Sequence, residues 1–265
     1  MHSAAAPQPT CIHARRLARG PAASSDTNAL FVRKTHFSAL VSQATWLLFE
    51  FVLALPAAFP ICAPLTSADG AELWTFDRLD RIGGHPTTVL GNPRVIDVPG
   101  GRAVEFDGEH DALVVDVHPL AGAETFTWEA VFRPDGGQPE QRWFHLQESG
   151  SEHRLLFEIR VIDGQWCLDS YANSADGQKA LMNRKRLHPL GAWYHVAAVY
   201  DGREFRNYVN GVQEGAAEIH LVPQGPGRTS VGVRMNLVNY FKGAIHLSRF
   251  TRRALAPSEF LRVPA

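Results

Sequence analysis

The chain has 265 residues, 45% of them apolar and 10% aromatic, a composition that fits a globular protein and excludes wholesale disorder. Its 26 basic and 27 acidic groups leave a formal net charge of -1, which excludes a broad electrostatic draw toward nucleic acid or an anionic membrane surface. Of the 3 cysteines only Cys167 lies beyond residue 68, so the long C-terminal region has no internal disulfide and must stand on its core.

Residues 1–36 are rich in Ala, Arg and Pro, show no periodic pattern, and are expected to form a disordered basic arm carrying Arg15, Arg16, Arg19, Arg33 and Lys34. An apolar stretch follows at 37–65, with Glu50 its one charged residue, and ends on the small residues Thr66, Ser67 and Ala68. A basic region, an apolar run and a small-residue exit describe a secretory signal; left uncleaved, the same 37–68 segment is a single-span anchor with its positive flank inside. Pro56, Pro60 and Pro64 argue against a buried core helix there. Either way the remaining domain, 69–265, is expected to be exported: secreted, periplasmic or membrane-anchored outside the cytoplasm.

From Glu72 onward short β-rich segments recur every 10 to 15 residues or so, and no apolar run keeps a helical period for more than about two turns. In chain order the predicted strands are 72–76, 93–98, 102–106, 112–117, 126–132, 142–147, 155–162 and 165–172, then 193–201, 204–210, 229–233 and 241–250. Asp163-Gly164, Asp201-Gly202 and Asn210-Gly211 each read as a two-residue hairpin turn of the type that demands positive φ. Phe126, Trp128, Ala130 and Phe132 alternate with Thr127 and Glu129, and Leu155, Phe157, Ile159 and Val161 alternate with Glu158 and Arg160, which predicts strands with one wet face. The run 193–200 is apolar or aromatic on both faces and predicts a central strand covered on both sides. Residues 256–260 predict a single helical turn. The fold class is therefore all-β, an antiparallel two-sheet sandwich behind an N-terminal hydrophobic segment.

Four segments carry a resemblance: AVEFDGEHDALVVD, FTWEAVFRPD, LGAWYHVAAVYDGREFRNYVNGV and FKGAIHLSRFTRRALAPSEF, in that order. Together they resemble the laminin-G-like jelly-roll domains of the concanavalin A-like lectin/glucanase superfamily, over nearly all of 72–261. The resemblance implies two antiparallel sheets and a module that binds glycans or extracellular proteins. It also implies a structural calcium near a sheet edge, although the last strand has His246 where an acidic residue is usual, and imidazole is a poor ligand for so hard a cation.

The chemistry visible in the residues is sparse. Asp107, Glu109 and Asp111 alternate at a strand entry, so Asp107 and Asp111 are the candidate calcium ligands; no other cofactor is expected. No strand places two carboxylates at alternate positions as a glycosidase needs, since Glu158-Ile159-Arg160 offers one, and Tyr240-Phe241-Lys242 lacks the companions of a polysaccharide lyase site. Cys167 is expected to be a buried, inert thiol and His195 a hydrogen-bonded core histidine; the 12 histidines include no metal-type spacing beyond Glu72. Arg184-Lys185-Arg186 is a solvated basic run too short for nucleic acid. Arg160, Tyr171, Tyr194, Arg206 and Tyr208 could together supply the aromatic platforms and planar donors of a glycan site. The leading expectation is a non-catalytic binding module for a glycan or a cell-envelope protein, touching membrane only through its N-terminal segment. A carbohydrate-active enzyme and a structural surface protein without a small ligand stay open as alternatives.

Overall fold

The structure, a computed structural model, describes residues 70–263; the expected basic arm and hydrophobic segment, with Cys11 and Cys62, lie outside the described residues. In chain order the strands are β1 (Glu72–Thr75), β2 (Arg81–Ile82), β3 (His85–Leu90), β4 (Arg94–Val98), β5 (Gly101–Asp107) and β6 (Ala112–Val115). Then come β7 (Phe126–Pro134), β8 (Glu140–Glu148), β9 (Arg154–Ile162), β10 (Gln165–Ser174), β11 (Gly177–Met182) and β12 (His188–Pro189). The last are β13 (Tyr194–Tyr200), β14 (Glu204–Val209), β15 (Val212–Glu218), β16 (Gly227–Val231) and β17 (Lys242–Thr251), followed by a 3₁₀ turn at Pro257–Glu259. The first sheet runs β15-β14-β13-β7-β17-β5-β4 with β1 also on β17, and the second β11-β10-β9-β8-β16-β6-β3-β2 with β12 beside β10. Every pairing is antiparallel, as expected of a jelly-roll sandwich, and no α-helix occurs among the described residues.

The two inner faces meet in an aromatic core. Phe132 stacks on Trp143 at 4.3 Å, Trp143 on Phe157 at 5.3 Å, and Trp128 lies 4.1 Å from Phe157. Burial of such rings, each removing some 150–250 Å² from water, is the main stabilising term in a domain without disulfides. Trp128 is also tied down, its Nε1–H donating to Ser248 Oγ at 3.1 Å. The run expected to be covered on both sides, β13, is buried at every position between β7 and β14.

The hairpin turns separate into two kinds. Asp163 and Gly164 have φ of 49° and 74°, Asn210 and Gly211 47° and 79°, and each pair closes a two-residue turn with both φ positive. The Asp201-Gly202 turn differs: β13 and β14 are joined by residues 201–203, Gly202 alone has positive φ, and Asp201 caps the loop by accepting amide hydrogen bonds from Arg203 and Glu204 at 3.0 and 2.8 Å. The strands that periodicity does not predict, β2, β3, β11, β12 and β15, are short or lie toward sheet edges, and they are largely exposed. With little apolar surface to bury, they carry no period-2 signal.

Strand β17 holds the first sheet together through a bulge. Its first half, Lys242 to Ile245, pairs with β5; its second half, Leu247 to Phe250, pairs with β1; the register shifts between Ile245 and Leu247, at His246. His246 Nδ1 lies 2.6 Å from the carbonyl oxygen of Arg102 and its ring meets Trp193 edge-on at 6.2 Å. The residue that departs from the acidic pattern thus serves the bulge.

Candidate functional site

Outward-pointing residues decide what a sandwich can bind, and the two outer faces of this one differ. On the first sheet, sequence alternation predicts a wet face at Thr127 and Glu129, yet both are fully buried. The segment after β17 covers them. Thr127 Oγ1 donates to the Arg253 carbonyl and accepts from the Leu255 amide, both at 2.8 Å. Glu129 accepts from the Leu261 amide at 2.7 Å, from Arg249 Nε at 2.6 Å, and lies 3.0 Å from His195 Nε2. Ala197, Val199, Tyr208, Leu255 and Phe260 form a second small apolar core under this strap. The expected core histidine His195 is therefore held by a carboxylate and faces its own chain.

The second sheet opens outward as a cleft of about 230 Å³, lined by Arg142 on β8, Arg154, Leu156, Glu158 and Arg160 on β9, Asp169 and Tyr171 on β10, Ala180 on β11, and Arg234 on the loop after β16. Register explains the cluster. The Asp163-Gly164 turn pairs Asp169 with Glu158 and Tyr171 with Leu156, so residues at alternate positions on β9 and β10 share one face. Glu158 and Asp169 are only 5% and 2% exposed, and carboxylates this buried need partners. Arg160 Nη2 supplies them to both, at 3.0 Å to Glu158 and 2.8 Å to Asp169, while Arg142 Nε donates to the other oxygen of Glu158 at 3.1 Å. Arg142 also donates to Asn239, and Arg154 lies 5.1 Å over the Tyr171 ring, whose hydroxyl donates to Gln178 at 2.7 Å.

The electrostatics are uneven within this pair of carboxylates. Burial, and then the nearby charge of Glu158, push Asp169 up to about 6 despite Arg160 and Arg142. Its Oδ1 has no hydrogen-bond partner among the described residues. Larger hollows, of about 460 Å³ beside Trp193 and Phe260 and about 640 Å³ between His110 and Tyr240, are not lined by any such orphaned buried atom.

The residues expected to form a glycan site are divided. Arg160 and Tyr171 meet in the cleft. Tyr194 is buried, packed on Trp166 at 4.9 Å with its hydroxyl donating to the Pro189 carbonyl. Arg206 and Tyr208 belong to β14 in the other sheet, Arg206 paired with Asp201 and Glu204, and Tyr208 packed against Phe260. The two candidate calcium ligands are engaged in holding a loop. Asp107 Oδ1 accepts the amides of Glu109, His110 and Asp111 at 2.8–3.0 Å, and Asp111 accepts those of Asn92 and Asp107 at 2.7 and 3.1 Å. Burial alone would raise the Asp107 carboxyl, but these three amide bonds outweigh it and hold the group below its ordinary range.

A family model of the laminin-G type, described as concanavalin A-like lectin/glucanases superfamily, matches residues 107–260. The chain belongs to the concanavalin A-like lectin/glucanases superfamily. No curated protein matches its sequence. Among solved structures, domain 4 of the extracellular arabinanase AbnA from Geobacillus stearothermophilus, determined with arabinotriose, is similar at 20% identity and a TM-score of 0.54, over 71% of this chain and 94% of that one. The binding domain of Paraclostridial mosquitocidal protein 1 is similar at 12% identity and a TM-score of 0.55, and this chain covers 50% of its length. A variant of the NanB sialidase from Streptococcus pneumoniae follows at 15% identity and 0.50, covered over 28% of its length. At these identities the likeness is one of fold.

Within this concanavalin A-like domain, sequence reasoning finds Arg160 and Tyr171 but misses Asp169, Arg142, Arg154 and Arg234. One signal was available: a two-residue turn at 163–164 sets which residues of the two strands face each other, and counting outward from it puts Asp169 opposite Glu158. The search for two carboxylates along one strand cannot see a pair across two.

Proposed function

We propose that this domain is a non-catalytic binding module for carbohydrate, exported from the cytoplasm, with its site in the cleft between β8, β9, β10 and the 232–241 loop. One observation carries the reading: buried charged groups, Glu158 and Asp169, are held on an outer sheet face by Arg160 and Arg142, while Asp169 keeps an acceptor oxygen without a partner among the described residues. An arrangement of planar donors and an open acceptor beside Tyr171 suits a ligand dense in hydroxyls. The similarity in fold to an arabinanase domain solved with arabinotriose supports it. Export is supported by the basic arm and apolar run at 1–68.

A second reading, a carbohydrate-active enzyme, is favoured by the cross-strand carboxylate pair, because paired carboxyls with unequal proton affinity are what glycoside hydrolysis needs. Binding is preferred because each oxygen of Glu158 already accepts from a guanidinium, which blunts it as a nucleophile or base. Incubation of the protein with a polysaccharide panel, read for retention and for new reducing or unsaturated ends, separates the two. Retention without products is expected. Products that vanish in Glu158→Gln would establish the enzyme instead, and recovery of the domain only in the cytoplasmic fraction would sink the export claim.

A further inference from the structure

The nature of the saccharide can be narrowed; this step rests on the binding reading above. Two groups in the cleft lack a partner among the described residues, and they are of opposite kind. Oδ1 of Asp169 is a buried acceptor. Arg234 is a half-buried guanidinium that lines the cleft yet makes no side-chain hydrogen bond, ion pair or ring contact, whereas Arg142, Arg154 and Arg160 are each engaged with a carboxylate or with Tyr171.

The lining has four guanidiniums against two carboxylates, Glu158 and Asp169. The carboxylates that could rebalance it, Glu140 and Glu152, have side chains 52% and 81% exposed, where water screens them. His145, on the same sheet face, adds no positive charge: burial first, then the charges of Arg154 and Arg234, push it down to about 3. Its Nδ1 accepts from the Met235 amide at 3.0 Å, tying the base of the Arg234 loop to β8. A neutral sugar would answer Asp169 with a hydroxyl but would leave the Arg234 charge partly desolvated and uncompensated, which costs free energy. A sugar bearing an anion answers both.

We infer that the cleft selects acidic saccharides, the anionic group accepting hydrogen bonds from Arg234 and a hydroxyl of the same ligand donating to Oδ1 of Asp169. Arginine suits this task because its planar fork matches a carboxylate with two parallel hydrogen bonds. The adjoining Arg154–Tyr171 pair offers a ring face already polarised by a cation.

The test uses the full chain in titration calorimetry with oligomers of polygalacturonate, alginate and hyaluronate, each beside its carboxyl-esterified counterpart. At least one acid should bind about tenfold or more tightly than its ester, and Arg234→Gln should erase that preference. The control Arg228→Gln, an exposed arginine paired with Asp116, should keep it. Among the described residues the Arg234 side chain has no partner to lose, and its backbone bonds to Leu237 and Val238 survive the substitution, so an unchanged melting temperature is expected of its variant. Equal affinity for acid and ester overturns the inference while leaving the binding module intact. Equal losses in Arg234→Gln and Arg228→Gln reduce the effect to diffuse charge attraction and overturn it too. Binding to none of the six saccharides overturns the inference, and the binding reading then falls only if the wider polysaccharide panel is not retained either.

Discussion

The two outer faces of the sandwich begin from the same sequence pattern and end in opposite states. On β7 the outward positions are Thr127, Glu129 and Val131; on β9 they are Arg154, Leu156, Glu158 and Arg160. Both patterns predict water contact. The first face is sealed because the chain returns over it after β17, and the outward polar groups of β7 are consumed, Thr127 by two backbone groups and Glu129 by His195, Arg249 and the Leu261 amide, although the buried Thr251 hydroxyl beside Thr127 finds no partner among the described residues. Among the described residues no such strap crosses Glu158 and Asp169; their charges are paired by Arg160, and Asp169 keeps an unspent acceptor oxygen. Alternation tells which way a side chain points; the path of a distant segment tells whether water reaches it.

The sharpest way to break the comparison is to cut the staple. Glu129→Ala leaves His195 and the strap without their shared anion, and losing one partner of a buried ionic cluster costs about 3–5 kcal/mol. For a domain of this size the melting temperature should fall by roughly 10 °C in calorimetry. A fall under about 2 °C would show that the strap does not depend on Glu129. Phe260→Ala removes the apolar half of the same strap. With Tyr208 and His195 free to relax, the loss should be about 2 kcal/mol in denaturant unfolding; an effect near zero would mean that the small apolar core adds nothing.

On the open face the comparison is sharpened by pH. Asp169 faces Glu158 and Arg160 on β9 and Arg142 and Glu140 on β8, and its folded proton affinity lies above the unfolded value of 3.8. Such a carboxyl contributes stability that is full below the unfolded value and is lost as pH rises through about 6. Between pH 7 and pH 5 the native protein should therefore gain about 1 kcal/mol relative to Asp169→Asn. Parallel stability curves for the two proteins would mean that Asp169 is charged throughout. The smallest expected effect is that of calcium. Asp107 and Asp111 already accept five backbone amide bonds between them, and His246 offers no carboxylate. Millimolar Ca²⁺ added to chelator-treated protein should move the melting temperature by less than about 2 °C, against the roughly 5–10 °C of a saturated site. A larger rise, lost in Asp107→Asn, would restore the ion.

The architecture is largely legible in the sequence, since the core strands carry strong alternation and two of three glycine turns close as their dipeptides demand. The strands β3, β11 and β15, at a sheet edge or next to one, are not, because strands that bury little apolar surface have no reason to alternate. The site was half legible. Arg160 and Tyr171 stand out as outward planar and aromatic groups, but Asp169 gains its meaning only opposite Glu158, and Arg234 only where the loop after β16 folds back. Tyr194 and Tyr208 look like platforms in sequence, yet their rings have become packing surfaces for Trp166 and Phe260.

Strand β17 has a consequence for how the protein comes into being. It lies between β7 and β5 and also carries β1, although it is the last strand of the domain to be synthesised. On the ribosome, β1, β5 and β7 must wait for a partner more than a hundred residues downstream, while the β8-β9-β10-β11 ladder can zip locally through its hairpins. The open face is thus assembled early and its sealed counterpart late, and a nascent chain stalled before residue 242 would expose the inner aromatic surface of an unfinished sheet to chaperones and proteases.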